Sequence, residues 1–460
     1  MKNRIVLQFG FFCITMVVFT ASMDAQNIAP YVDSQGRFKV FDNGKIHDLE
    51  HEEVSEVQVG GDYVLYKDNI GQRKKYSYQE TQVLSNAENI WYYPTQYLMA
   101  VVEGEEGGIL KVIYGEEEEL LSLDIDNGSF AVQDSILIFK DNSGDVNVFY
   151  KGEIHELPEA VKCIVSSNSV SFKDSSDVIH IFHEGEIVEV YNQPTKTHFE
   201  NVFAPKMELG ERDGFVNSAK SKNAKLFKEP KSTGLMLSRV FSAKDALLTD
   251  DGMRFRSKFL DYRNYLLTDP NEFLGKTKRN DKLKIFCLYS FEYHTGDNFV
   301  VFVDETGKLM CNDNGGLKEI VDFHPRVYRV GAKMVIFVDE FDALMVYWKG
   351  KVQKLTSSFP RFQALKNNTL TYVDDLGYFY VFDEGKKVSM EAYQPEYVAI
   401  DDGIVVYIDS DGRLQAYYEG KKLKVSSEIV KDFRLVGRVI LYTIGNDETK
   451  IFHDGKHYWG

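Results

Sequence analysis

Several groups of side chains in this sequence have types and spacings that invite chemistry. Asp409-Ser410-Asp411-Gly412 sets two carboxylates around a serine, the way a calcium loop begins. It lacks the downstream bidentate Glu of an EF-hand, and Asp and Gly are turn residues on their own account, so a turn is expected there. His180 and His183 lie three apart in a run that reads as a strand. That spacing sends them to opposite faces and away from a shared metal. His453 and His457 flank Gly455 and read as turn and edge residues. Cys163, Cys287 and Cys311 follow no metal-ligand spacing. They read as buried thiols on strands, and a single disulfide between two of them stays open. The glutamates within Glu103–Glu106 and Glu116–Glu119 read as solvated turns. No G-x-S-x-G, no S-x-x-K in a suitable setting and no H-E-x-x-H is present. No catalytic residue, metal or cofactor is therefore expected, and binding carries the interest. The candidate interaction residues are Lys220, Lys222, Lys225, Lys228 and Lys231, set among small polar residues, with Trp91 and Trp348.

The elements that must position these residues repeat. In Thr369 to Asp402, Leu370 and Tyr372 alternate with polar neighbours, as a half-buried strand does. Asp374-Asp375-Leu376-Gly377 interrupts them. Asp bonds its own backbone two residues on and Gly supplies positive φ, so D-x-x-G is a hairpin turn. The aromatic and β-branched run Tyr378 to Phe382 is a second strand. Asp383-Glu384-Gly385-Lys386 makes a second turn, a third strand follows, and a fourth is expected around Tyr397 to Ile400. The four are expected to form one antiparallel meander.

The first position of the D-x-x-G turn recurs at Asp33, Asp68, Gly104, Asp141, Asp174, Asp304, Asp339, Asp374, Asp409 and, degenerate, Ile444. The last five are spaced 35 residues apart. The glycine of the second turn recurs at one fixed offset in every unit except the second, where Gln79 stands. Aromatic residues precede these second turns (Phe41, Phe149, Phe182, Tyr347, Phe382, Tyr418 and Phe452) and are expected to pack unit against unit. A fixed period of this length marks a repeat architecture.

Met1 to Ala25 reads as a secretory signal peptide cleaved after Ala25. It has a basic start at Lys2 and Arg4 and an apolar run too short to span a bilayer. A soluble periplasmic or secreted protein is the expectation, not a membrane-spanning one. The formal net charge of −16 disfavours nucleic acid, whose phosphates it would repel. Residues 26–202 hold five units and 298–460 another five. Between them residues 203–297 form a basic insertion on an otherwise acidic chain. Within it, Met253 to Leu267 reads either as a helix capped by Asp250-Asp251 or as a degenerate unit.

Short meanders at this period stack best around a central axis. The expected fold is an all-β β-propeller of four-stranded units of ~35 residues, about ten of them, as one ring or two lobes with one large insertion. An open solenoid is the third variant. With the chain ending after the third strand of the last unit, one unit is expected to stay three-stranded or to borrow a strand. The D-x-x-G and V-F-x-x-G-K pattern resembles the diverged propeller repeats of secreted bacterial proteins, a likeness that speaks for fold and not activity. Size, signal segment, acidic repeats and the lack of catalytic motifs also resemble the Plug subunits of type 9 secretion translocons. That resemblance implies a non-catalytic interaction scaffold at the periplasmic mouth of an outer-membrane translocon, bound to envelope proteins. A glycan- or small-ligand-binding propeller and a propeller hydrolase or lyase are the alternatives.

Overall fold

The computed structural model describes residues 27–201, 240–242 and 288–459, less positions 53, 86–88, 105–107, 126–129, 167, 197, 292, 326, 361, 396, 402 and 446–447. Met1 to Ala25, the five lysines, Met253 to Leu267 and Cys287 lie outside the described residues. The described residues form strands and turns, with no helix among them.

Ten antiparallel meanders follow one another along the chain. We number them blades 1 to 10 and letter their strands A to D. Blade 8 shows the plan, with A at Phe362–Lys366, B at Thr369–Val373, C at Phe379–Asp383 and D at Lys386–Glu391. Strand B is buried along its whole length because it has a neighbour on either side, whereas D forms an edge and is mostly exposed. A strands of neighbouring blades approach one another, which places A innermost and D on the rim.

The phase of the unit differs from the sequence expectation. Val398–Asp401 does not complete the sheet of blade 8; it pairs with Ile404–Ile408 and opens blade 9. The reason is local. Asp401 and Ile404 face each other across a tight turn, while Ala392 to Tyr397 is long enough to cross from the rim of one blade to the inside of the next. Blade 1, with strands Ile28–Val32, Phe38–Asp42 and Lys45–Glu50, is therefore the three-stranded one among the described residues. Pro30, which has no N–H to donate, sits on its inner edge strand, where such a residue is tolerated. Blade 10 is complete, because the long strand Lys421–Val436 serves as D of blade 9 and then as A of blade 10.

A row of ten blades has nine interfaces and a ring has ten. Among the described residues there are ten apolar clusters, and each lies between two neighbouring blades. The closing cluster joins Ala29, Tyr31 and Phe41 of blade 1 to Val436, Val439, Leu441 and Ile451 of blade 10. His453 Nε2 lies 2.9 Å from Asn27 Oδ1 beside it, and Phe41 meets Tyr458 edge-on at 4.9 Å. The molecule is thus a single closed ring, neither two lobes nor a solenoid.

The seam at the insertion is equally continuous. Ile164, Ile179, Ile181 and Val190 of blade 5 pack on Tyr293, Val300 and Phe302 of blade 6. Tyr293 Oη donates to the Lys162 carbonyl at 2.8 Å, Ser166 Oγ donates to the Gly296 carbonyl at 2.6 Å, and Ser171 bonds Thr295. The inner strand of blade 6 is Tyr293–Gly296, which falls inside the segment 203–297 set apart from the sequence. His198–Asn201 pairs with Leu288–Phe291, so the insertion leaves and returns through one two-stranded stem. The strand Val240–Ser242 pairs with the inner strand of blade 5.

Candidate interaction surface

Antiparallel alternation sends the B–C turns and the D-to-A links to one face of the ring, and the A–B and C–D turns to the other. The D–A link between blades 5 and 6 carries the insertion, so it emerges on the B–C face. The pairing of Thr195 with Asp304, at the B–C turn of blade 6, agrees.

The C–D face is built from tight turns. Asn43 and Gly44 both have positive φ, 47° and 86°, and the same pair of left-handed residues recurs at Glu384-Gly385 and Glu419-Gly420. This is the hairpin turn whose twist suits the flanking strands. In blade 2 the turn persists without a glycine, with Tyr78 at φ 50° and Gln79 at φ 65°. These turns also serve packing. A Cβ added to Gly385 would stand 3.0 Å from Trp348 Cδ1 of the preceding blade. Trp348, a candidate interaction residue, is half-buried against the cluster between blades 7 and 8, with Lys349 Nζ 5.1 Å from its ring centroid. Trp91 lies on Ile90–Pro94, the inner strand of blade 3. The structure does not bring the two tryptophans together.

The B–C face is built from wider loops closed by an aspartate. Asp33 Oδ1 accepts N–H bonds from Gln35 at 2.9 Å and Arg37 at 3.0 Å. Asp68, Asp141, Asp174, Asp339, Asp374 and Asp409 do the same for the residues two and four places on. Asp409 is thus occupied as a turn cap, and its other oxygen accepts from Gln415 Nε2 at 2.7 Å. Burial pushes the Asp68 carboxyl up, but the ammonium of Lys74 at 3.0 Å and the two backbone N–H groups outweigh it and hold it below the usual carboxylate value. Asp33, Asp174 and Asp304 are lowered on the same balance.

The remaining side chains of these turns give the face its character. Every one of the ten B–C turns carries at least one carboxylate. Arg37, Lys308 and Arg413 are their only cations. Each is held within the ring: Arg37 by Asp33 at 2.7 Å, Lys308 by Glu319 at 2.7 Å, Arg413 by Asp411 at 3.1 Å. Two residues past the anchor, at the tip, stand Ile70, Phe341 and Leu376, 73%, 73% and 72% exposed. The sequence reading missed these tips. Their signal is an apolar residue inside an otherwise polar turn, as in D-N-I-G, D-E-F-D and D-D-L-G.

The histidines are occupied elsewhere. His180 Nε2 meets Asp174 Oδ2 at 2.9 Å, while His183 Nδ1 meets Ser169 Oγ at 3.0 Å, on the opposite side of the strand. His453 is buried at the ring seam, and His457 Nδ1 pairs with Tyr442 Oη at 3.2 Å. Cys163 and Cys311 are free and buried, and burial pushes both thiols up. Among the described residues no group of three or more His, Cys, Asp or Glu is placed to hold a metal ion. Among them, too, no helix is long and apolar enough to cross a membrane.

A family model described as "10-bladed beta propeller domain" matches residues 22–202 and 278–458. The chain belongs to that family. The two matched stretches cover its two five-blade arcs, and the unmatched span between them, residues 203–277, falls within the insertion. A search of curated proteins finds no match. Among solved structures the propeller is similar to the computationally designed Ika8 protein, with 13% identity and a TM-score of 0.28 over 79% of this chain and 96% of that one. It is similar also to BamB from Moraxella catarrhalis, with 9% identity and a TM-score of 0.29 over 94% and 100%. For Hsv2p of Kluyveromyces lactis the figures are 9%, 0.25, 79% and 92%. At these identities and scores the likenesses carry nothing about function.

Proposed function

We propose that this ten-bladed propeller is a non-catalytic protein-interaction scaffold of the cell envelope, exported by its N-terminal segment and docking its partner through the B–C face. The observation that carries the reading is the make-up of that face: a carboxylate in every turn, each turn cation held within the ring, and large apolar side chains at turn tips. Exposed apolar groups that cluster within a polar surround mark interaction surfaces, whereas singly scattered ones do not. The finer placement, beside an outer-membrane translocon at its periplasmic mouth, follows from the resemblance to the Plug subunits. The comparisons add nothing to it.

The test is recovery of the tagged chain from its own cell envelope in mild detergent, with bound proteins identified by mass. Stoichiometric recovery of an envelope protein is expected, and an outer-membrane pore among the products supports the finer placement. Recovery of no protein, together with binding to a glycan array, would replace the scaffold with a ligand-binding propeller.

A further inference from the structure

We propose that the docking site proper is the arc of the B–C face on blades 7 to 9, and that it takes a protein segment in which large apolar side chains alternate with lysine or arginine. This rests on the scaffold reading above. Phe341 and Leu376 occupy the same tip position on neighbouring blades, where blades 1, 4, 5 and 6 have Gln35, Ser143, Ser176 and Thr306. Tyr378 closes the turn of blade 8 and is 39% exposed. Ile429 is 70% exposed and sits against Gly412, in the B–C turn of blade 9. Four large apolar groups therefore fall on three successive blades, while Ile70 on blade 2 stands apart. A single exposed apolar residue needs no explanation, but their grouping on one face of adjacent blades argues for an apolar half of the partner.

The charged half is called for by what surrounds them. Glu340, Asp375, Asp411 and Glu428 are exposed around the arc. Arg413, its one turn cation, is held by Asp411. A partner bringing lysines or arginines meets complementary charge, which speeds encounter and excludes acidic surfaces. Exposed apolar residues also recur at the rim, where Ile154, Ile187, Leu317 and Val352 hold one repeat position on the D strands of blades 4 to 7; they are less exposed than the tips and lie outside the carboxylate-bearing turns.

Two synthetic peptides of equal positive charge test the inference on the full chain by fluorescence anisotropy. One alternates Lys with Leu and Phe; the other has Ser in place of Leu and Phe. The native protein is expected to bind the first at least about tenfold more tightly. Phe341→Ser with Leu376→Ser should abolish that preference and leave weak, salt-sensitive binding of both peptides. Ile70→Ser should leave it intact. The Phe341→Ser single variant, expected to show a reduced preference, serves if the double variant lacks native β circular dichroism. Equal binding of the two peptides by native protein would overturn the proposal, as would an unchanged preference in the double variant. A preference that emerges only after residues 203–287 are removed would overturn it too, because the arc would then be covered in cis. Envelope recovery separates the two levels. A partner retained by the double variant sinks this inference and leaves the scaffold standing, whereas no partner for the native chain sinks both.

Discussion

The two faces of the ring are made from the same repeat and solve different problems. On the C–D face the turns are two residues long and need left-handed backbone, and some of them pack against the neighbouring blade, as Gly385 does against Trp348 and Gly44 against Tyr458. On the B–C face the turns are longer, and one aspartate satisfies the backbone from within the loop. That leaves the tip free of structural duty, so the tip varies from Gln35 to Phe341 without disturbing the blade. The lesson is one of degree: the short C–D turns have no tip to spare, whereas the B–C turns present theirs outward even where a turn also ties blades, as Asn142 Oδ1 does by accepting from Ser122 and Leu123 of blade 3. The insertion follows this contrast, leaving from the display face through a paired stem while the seam beneath stays bonded.

The largest expected effect lies on the packing side. Phe41→Ala at the ring seam removes a fully buried ring that meets Tyr458 and His453, and should cost ~3–5 kcal/mol in urea unfolding. A cost near zero would mean that blades 1 and 10 do not close the ring. Next comes Gly385→Ala. Its φ of 80° penalises a side chain by ~1–2 kcal/mol, and Trp348 must shift as well. The same assay on a B–C tip, Leu376→Ala, should move stability by less than ~0.5 kcal/mol. Equal losses at the two sites would erase the contrast between the faces.

Acid sharpens the comparison from the display side. Asp33, Asp68, Asp174 and Asp304 have carboxyls held below their usual value of 3.8, so the unfolded chain binds more protons than the folded one near that pH. Their contribution is whole above about pH 4 and drains away as pH falls through the lower folded values. Asp68→Asn keeps an acceptor but cannot titrate, so its urea midpoint should fall less steeply between pH 4 and pH 3 than that of the native chain; an identical slope would deny the cap its ionic part. One effect is a gain. Gln79→Gly relieves a left-handed non-glycine residue, and melting should show stabilisation of about 0.5–1 kcal/mol. A loss would show that the side chain of Gln79 is needed there.

Much of this was legible in the residues. The D-x-x-G anchors and fixed glycine offset gave the turns, the period and the number of units, because turn chemistry is local. Phe41, Phe149 and Phe382 were read as packing residues and are buried. Sheet membership was less legible. Tyr397 to Ile400 follows blade 8 in sequence but pairs forward, and only the lengths of two links decide that. Ring closure was not legible at all, since contacts between Tyr31 and Leu441 leave no local mark. The exposed tips were missed for a similar reason. Trp91 and Trp348 drew notice by residue type; Trp348 is half-buried against the next blade and Trp91 is exposed on an inner strand, while Phe341 and Leu376 looked like ordinary turn residues until their shared position on neighbouring blades was known.

The most direct test of the division between the faces is photo-crosslinking in living cells, with benzoylphenylalanine placed at Phe341 or at Lys351. Both positions are exposed and both belong to blade 7, one on the display face and one beside the C–D turn. The account predicts a single discrete adduct with an envelope protein from position 341 and none from 351. An adduct from 351 alone, or the same adduct from both, would contradict it.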